Sequence, residues 1–173
     1  MPYPVISAGQ RITAALLTSM LPTQIVKTID QQVVNSTTNV NDNHLLAPVA
    51  ANATYNVTGM LLYSTRSDTD LKIGWTGPTG ALMDWISHGQ SPGGTGGVAN
   101  LGVVVDRQSI GNTAFPLDGF GAENTTFMTA PFWGRLTTVA TAGTFQLNWA
   151  QRTANANAAI MRAGSWFLLQ RVA

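Results

Sequence analysis

The chain has 173 residues and a mass of 18.3 kDa, enough for one domain with a single buried core. Charged residues make up 10% of it, against about 25% in average domains, and the formal net charge is +1. The scarcity of Glu and Lys argues against a helix-rich fold, because these residues usually cover exposed helix faces, and the low charge argues against binding to nucleic acid or acidic lipid.

The first 24 residues are predicted to form an arm that precedes the main fold. Pro2 and Pro4 keep its start extended, and residues 13–20 can form two helical turns that end before Pro22. The apolar side chains of this segment are too few to fold alone, so they must pack either on the body of the same subunit or on a neighbouring protein. We call residues 1–24 the N-terminal arm. Its predicted attachment residues are Arg11, Ile12, Leu16, Leu17, Met20 and Leu21.

From about Gln24 onward, short apolar or alternating runs are separated by Gly, Pro, Asn and Asp, a pattern typical of all-β proteins. Strands are predicted at 25–34, 45–49, 55–65, 71–75, 81–86, 98–106, 127–140, 144–151 and 165–172. Their number favours a two-sheet, jelly-roll-like sandwich made of residues 25–173. The Gly-rich stretches 87–97 and 109–124 are predicted to be loops at the ends of this sandwich.

Alternation along the clearest strands separates a core face from a polar face. The residues predicted to face the core are Tyr55, Val57, Leu61, Tyr63, Leu71, Ile73, Trp75, Phe145, Leu147 and Trp149. The last strand is apolar on both faces, with Trp166, Leu168 and Val172 opposite Phe167 and Leu169. Such a strand belongs in the middle of a sheet or at a subunit contact, so the first three of these residues are predicted to form an oligomer interface, most simply in a homotrimer.

Motifs for metal binding and catalysis are missing from the sequence. There is no Cys, and His44 and His88 each lack a second ligand at metal-binding spacing. The Asp68-Thr69-Asp70 run lacks the rest of a calcium loop and is predicted to be a hairpin turn, and residues 93–97 lack the Lys-Ser/Thr of a phosphate loop. Spacing indicates no carboxylate pair, although two Asp residues could meet in space. We expect no cofactor, no bound metal and no enzyme activity.

The five tryptophans are the one group of residues that suggests ligand binding. An exposed indole ring in a polar, loop-rich end of a sandwich can stack on a sugar ring. Most of the five occupy core positions of predicted strands, but Trp85 precedes the first Gly-rich loop and Trp133 follows Pro131-Phe132. These two are the candidates for contact with a host-surface glycan. Glycan binding is therefore the alternative to a purely structural role.

Five segments of the sequence resemble a family of small virion proteins from tailed phages and prophages of actinobacteria. They are residues 7–18, 49–55, 72–78, 141–151 and 163–172. Members of this family are described as minor tail, head-fibre or capsid-decoration proteins. The resemblance implies a jelly-roll-like sandwich displayed on the virion, with the N-terminal arm contacting major capsid or tail proteins.

The start of the chain has neither the basic residues nor the uninterrupted apolar run of a secretion signal. No segment approaches the roughly 18 apolar residues that a membrane helix needs. Together with the resemblance, this predicts a bacteriophage structural protein that assembles in the host cytoplasm and resides in the virion without membrane insertion.

Overall fold

The computed structural model describes residues 6–90, 103–104, 108–121 and 125–173. Its elements are one short helix and a series of strands that pair antiparallel throughout. In chain order they are α1 (Ala14–Met20), β1 (Thr23–Val26), β2 (Gln31–Val33), β3 (Val40–Val49), β4 (Thr54–Ser64), β5 (Leu71–Thr76), β6 (Leu82–Ser87), β7 (Gly89–Gln90), β8 (Val103–Val104), β9 (Gln108–Ser109), β10 (Phe115–Leu117), β11 (Met128–Thr137), β12 (Gly143–Gln151), β13 (Ala159–Met161) and β14 (Trp166–Arg171).

Two sheets form a sandwich. Sheet A has the strand order β1-β14-β4-β11-β6-β9, and β13 pairs with both β4 and β2 beside it. Sheet B has the order β10-β5-β12-β3, and β7 pairs with β8 separately. The outer strands of sheet B contain Pro116 and Pro48, as expected because an edge strand can lack a backbone donor. The predicted all-β, two-sheet fold with a short N-terminal helix is confirmed.

The core lies between the sheets and contains every residue that alternation predicted to face inward. An aromatic cluster crosses it. Trp75 of sheet B stacks on Phe145 at a ring-centroid distance of 4.7 Å, and it also contacts Phe132 and Phe167 of sheet A at 4.9 and 5.6 Å. Gly59 pairs with both of these phenylalanines, and an added Cβ there would lie 2.6 Å from the Phe132 ring. The glycine therefore makes room for the cluster.

A buried ion pair also joins the sheets. Lys27, which directly follows β1, places its Nζ 2.9 and 2.8 Å from the two carboxylate oxygens of Asp42 in β3. The Oδ1 atom of Asp42 accepts the backbone N–H groups of His44 and Leu45, each at 2.9 Å, and Oδ2 accepts the indole N–H of Trp149 at 3.2 Å. Both charged side chains are almost completely buried, so the pair depends on this full set of hydrogen bonds.

The predicted strand 25–34 is two strands in the structure, and the buried Lys27 lies between them. The backbone N–H of Lys27 donates to Ser165 O at 2.8 Å, and Gly164 N–H donates back to Lys27 O at 2.8 Å. β1 ends at Val26 and pairs with β14, whereas β2 begins at Gln31 and pairs with β13, so the two segments have different partners. A sequence pattern that counts Lys as a surface residue does not predict this break.

Other predicted boundaries also differ from the structure. β3 begins at Val40, well before the predicted start at residue 45, and β10 lies within the stretch 109–124 that was predicted to be a loop. β13 was not predicted, because its three residues, which follow an Asn-containing turn and precede Gly164, show no alternation. Of the predicted strand 98–106, only β8 lies within the described residues, and of the predicted loop 87–97 only its first four residues do.

The buried ion pair predicts a large effect of one substitution. Lys27→Met removes the ammonium group and leaves the Asp42 carboxylate buried without its counter-charge. We expect the free energy of unfolding to fall by about 3–5 kcal/mol, as for other buried pairs broken from one side. Lys72→Met changes the only other lysine, which is half-buried on β5, and should change stability by about 0.5 kcal/mol or less. Urea denaturation measures the free energy of unfolding of both variants. Equal losses would contradict the assignment of Lys27 and Asp42 as a stabilising buried ion pair.

Candidate functional site

Three apolar side chains of the N-terminal arm are exposed. Helix α1 starts at the Thr13 cap, whose Oγ1 accepts the Leu16 N–H at 3.2 Å, and it ends where Leu21 N–H donates to Thr18 O. The predicted helix is confirmed. Ile12, Leu17 and Leu21 are 56%, 52% and 67% exposed. These three side chains therefore remain available to a neighbouring protein.

The other three attachment residues differ in exposure, and the start of β1 defines where the arm ends. Arg11 is exposed, whereas Leu16 and Met20 are half-buried. Strand β1 begins at Thr23 and pairs with β14, so residues 23 and 24 of the predicted arm belong to sheet A. The segment that precedes the sheet ends at Pro22.

The outer face of sheet A, meaning the side turned away from the core, carries the predicted oligomer residues. Strand β14 lies between β1 and β4, which confirms its predicted place in the middle of a sheet. Phe167 and Leu169 point into the core and are buried, whereas Trp166 and Leu168 point outward and are half-buried. Val172 follows β14 and is exposed. A contact between subunits at these residues remains a prediction.

An apolar row crosses this outer face. Val26, Trp166, Met60 and Pro131 stand side by side in register on β1, β14, β4 and β11. The first is exposed and the other three are half-buried. Four strands at about 4.8 Å spacing make a row about 14 Å long with no charged side chain in it.

Of the two tryptophans predicted to contact a glycan, one is in the core. Trp85 is 1% exposed and packs against Phe115 at a centroid distance of 5.2 Å, so its assignment as a sugar contact is wrong. On β6 the side chains of Met83 and Trp85 point inward and that of Asp84 points outward. The position next to a Gly-rich segment suggested exposure, but the strand continues to Ser87 and its alternation determines the face.

Trp133 lies on the outer face at β11 and is 43% exposed. The His88 ring meets it edge-on at a centroid distance of 5.1 Å. A shallow depression of about 290 Å³ beside the indole is lined by Asp84, Trp85, Ile86, Trp133 and Gly134. An open groove of about 650 Å³ adjoins it at Asp84 and is lined by Ala81, Leu82, Met83, Asp84, Ser109, Ile110, Arg135 and Thr137.

A carboxyl pair that the sequence did not reveal lies at the start of β5. The pairing of Leu117 with Leu71 brings Asp118 opposite Asp70, and Gly119 N–H donates to Asp70 Oδ1 at 3.0 Å. The two side chains are in hydrogen-bonding contact, and Asp118 is buried with no N–H or O–H donor on its Oδ2. Two carboxyl groups can share such a bond only when one carries a proton. Burial, followed by the bond to Asp70 and its charge, raises the pKa of Asp118 to about 7.

The other candidate residues from the sequence analysis have structural roles. Asp68 lies in a turn next to Asp70 and pairs with Arg66 at 2.8 Å. The turn is not the predicted hairpin, because it connects β4 of sheet A to β5 of sheet B. His44 is in β3, not in a loop, and its Nδ1 accepts the Thr28 N–H at 3.0 Å. In the described ranges no group of three His, Asp or Glu residues is placed to hold a metal ion. No helix of the described part is long and apolar enough to span a membrane.

Comparisons with known proteins leave the family of this chain open. No protein-family profile matches it, and no curated protein matches it. A structure of the infectious bursal disease virus Gx strain is 14% identical, with 87% of this chain and 40% of that chain covered and a TM-score of 0.21. A structure of the VP2 subviral particle of the same virus is 14% identical, with 88% and 42% covered and a TM-score of 0.22. The chain thus spans less than half the length of either viral chain, and TM-scores this low establish no shared fold.

The carboxyl pair predicts that stability depends on pH. Folding raises the pKa of Asp118 from 3.8 to about 7, so the native state keeps a proton that the unfolded chain releases. The stabilising contribution of that proton is complete below about pH 4 and is lost as the pH rises to about 7. Asp118→Asn keeps the shape of the side chain and cannot ionise. Its free energy of unfolding, relative to that of the wild type, should therefore increase between these two pH values and stay constant above them.

Chemical denaturation of both proteins from about pH 4 to about pH 8.5 tests this expectation. Taking the difference between variant and wild type cancels the titration of the other carboxyl groups. Asp68→Asn is the control, because Asp68 lies on the surface of the same turn. A difference for Asp118→Asn that does not change with pH would contradict the shared proton.

Proposed function

We propose that the chain is a structural subunit of a bacteriophage particle, displayed on the virion as a homo-oligomer and held there by its N-terminal arm. Within the virion it would serve as a capsid-decoration, head-fibre or minor tail component that assembles in the host cytoplasm and acts without catalysis. The resemblance of five sequence segments to actinobacterial phage virion proteins supports this proposal, as does the low charge of the chain, since neutral polar surfaces allow many copies to pack closely.

The exposed arm is the observation that carries the proposal. The sandwich closes its core with residues of sheets A and B, so the arm is not needed to complete it. Ile12, Leu17 and Leu21 nevertheless remain exposed on a segment that directly precedes β1. Each of these side chains would contribute about 1.5–3 kcal/mol if it became buried against a partner, before the cost of ordering the segment. This is the pattern of an attachment segment.

The outer face of sheet A supports self-association. Trp166 is part of the apolar row, Leu168 projects from β14 beside it, and Val172 is exposed just beyond the strand. A second copy of the chain would meet this uncharged surface without electrostatic repulsion. In a trimer, three arms would attach together, so that after the first arm binds the others bind at high effective concentration and the subunit stays on the particle.

Deletion of residues 1–22 tests the attachment. The truncated chain retains β1 and the core, so we expect a folded protein by circular dichroism that no longer copurifies with particles made from a phage genome carrying the deletion. A full-length chain with Ile12→Ser, Leu17→Ser and Leu21→Ser should behave in the same way. This variant keeps the length of the arm and removes only its exposed apolar side chains. A map of the wild-type particle then locates the subunit on the capsid or on the tail.

Two results would overturn the role of the arm. Copurification of the truncated chain at wild-type copy number would assign attachment to the sandwich. Failure of the truncated chain to fold would show that the arm belongs to the body of its own subunit, which is the alternative that the sequence left open.

Light scattering tests the oligomer. We expect the wild type to have about three times the mass of one 18.3 kDa chain at micromolar concentration. Leu168→Glu places a charge in the proposed contact and should shift the protein to monomers. Thr144→Glu adds the same charge at an exposed position of β12, on the outer face of sheet B, and should leave the mass unchanged. A wild type that is monomeric, with a melting temperature independent of concentration, would contradict the oligomer.

A further inference from the structure

The part of the outer face formed by β11, β6 and β9 combines an exposed aromatic ring with a groove that is lined by both polar and apolar residues. It lies towards the β9 edge of sheet A, at the opposite end of the strand order from the arm and β1. We propose that this surface binds a saccharide, with the indole of Trp133 as the stacking platform and the adjoining groove as the place where sugar hydroxyl groups are bound. This inference goes beyond the structural role and does not depend on it.

The indole of Trp133 is held as a platform. Strand β11 pairs with β4 on one side and β6 on the other, so Trp133 rises from the interior of a sheet rather than from a flexible loop. Its neighbours in register are Thr58 and Ile86, and His88 supports the ring edge-on. The negative π face of an indole attracts the slightly positive C–H groups on one side of a pyranose ring. A ring fixed in this way loses little conformational freedom on binding.

The groove supplies the polar contacts that stacking alone lacks. Asp84 on β6 stands opposite Arg135 on β11, and both side chains line the groove together with Ser109 and Thr137. Carboxylate, guanidinium and hydroxyl groups provide acceptors and donors for the hydroxyl groups of a sugar. The volume of about 650 Å³ lies within the range of about 300–1,000 Å³ that is usual for small-ligand sites.

Charged side chains distinguish this surface from the proposed subunit contact. The apolar row of Val26, Trp166, Met60 and Pro131 has no charged member, whereas the groove places a carboxylate and a guanidinium beside the aromatic ring. Leu168 lies two strands from Trp133 in register, a separation of about 10 Å, and the groove extends from Trp133 in the other direction. A contact between subunits at β14 therefore leaves the groove open.

The test uses the full-length protein on a printed array of neutral and acidic oligosaccharides, followed by calorimetric titration with each oligosaccharide that is bound. We expect the wild type to bind at least one of them. Trp133→Ala should weaken that binding at least about tenfold, and Trp133→Phe, which keeps an aromatic face, should restore part of it. Arg135→Gln, at the groove, should also weaken binding. Phe127→Ala is the control, because Phe127 is an exposed aromatic residue that lies outside the groove and stacks on Arg162.

Each result decides the proposal. Loss of binding with Trp133→Ala and Arg135→Gln but not with Phe127→Ala, while light scattering shows an unchanged mass, supports the saccharide site. No bound oligosaccharide on the array, or equal binding by Trp133→Ala and the wild type, overturns it. A change of oligomeric state in Trp133→Ala also overturns it, because the indole then belongs to a contact between copies of the chain. Incorporation of these variants into particles tests the structural role separately.

Discussion

The buried pair of Lys27 and Asp42 is the interaction on which the arrangement of the two sheets depends. It links the end of β1 in sheet A to β3 in sheet B, and through the indole of Trp149 to β12. Removing two charges from water costs several kcal/mol for each ion, so the pair is tolerated only because each oxygen of the carboxylate is hydrogen-bonded. Any sliding of one sheet over the other would leave a charge buried without its partner. The same pair anchors the end of β1, the strand that follows the N-terminal arm.

The burial of Asp42 contrasts with that of Asp118. Asp42 faces an ammonium group, whereas Asp118 faces a second carboxyl group, Asp70, and depends on a shared proton. The turn that holds Asp118 leaves it no room to move out, because a Cβ on the next residue, Gly119, would lie 1.8 Å from the backbone oxygen of Arg66. The close packing of that turn keeps the two acids together and makes their contact sensitive to pH.

Sheet A has two different edges, and this asymmetry organises the outside of the molecule. The arm precedes β1 at one edge, and the uncharged row runs from Val26 at that edge to Pro131 on β11, while the groove with Asp84 and Arg135 lies towards the β9 edge. The row contains no charged side chain, whereas a carboxylate and a guanidinium line the groove, so the two parts of this face differ in charge.

The sequence by itself determined the all-β class, the helix of the arm and the inward face of strands such as 55–63 and 145–149, because alternation and capping are local properties of the chain. It did not determine that Lys27 and Trp85 are buried, that Asp118 meets Asp70, or that Trp133 lines a depression next to a groove. Each of these facts depends on residues from strands that are distant in the chain and become neighbours only through sheet pairing. Burial and charge partners are properties of that pairing, so the tertiary structure alone decided them.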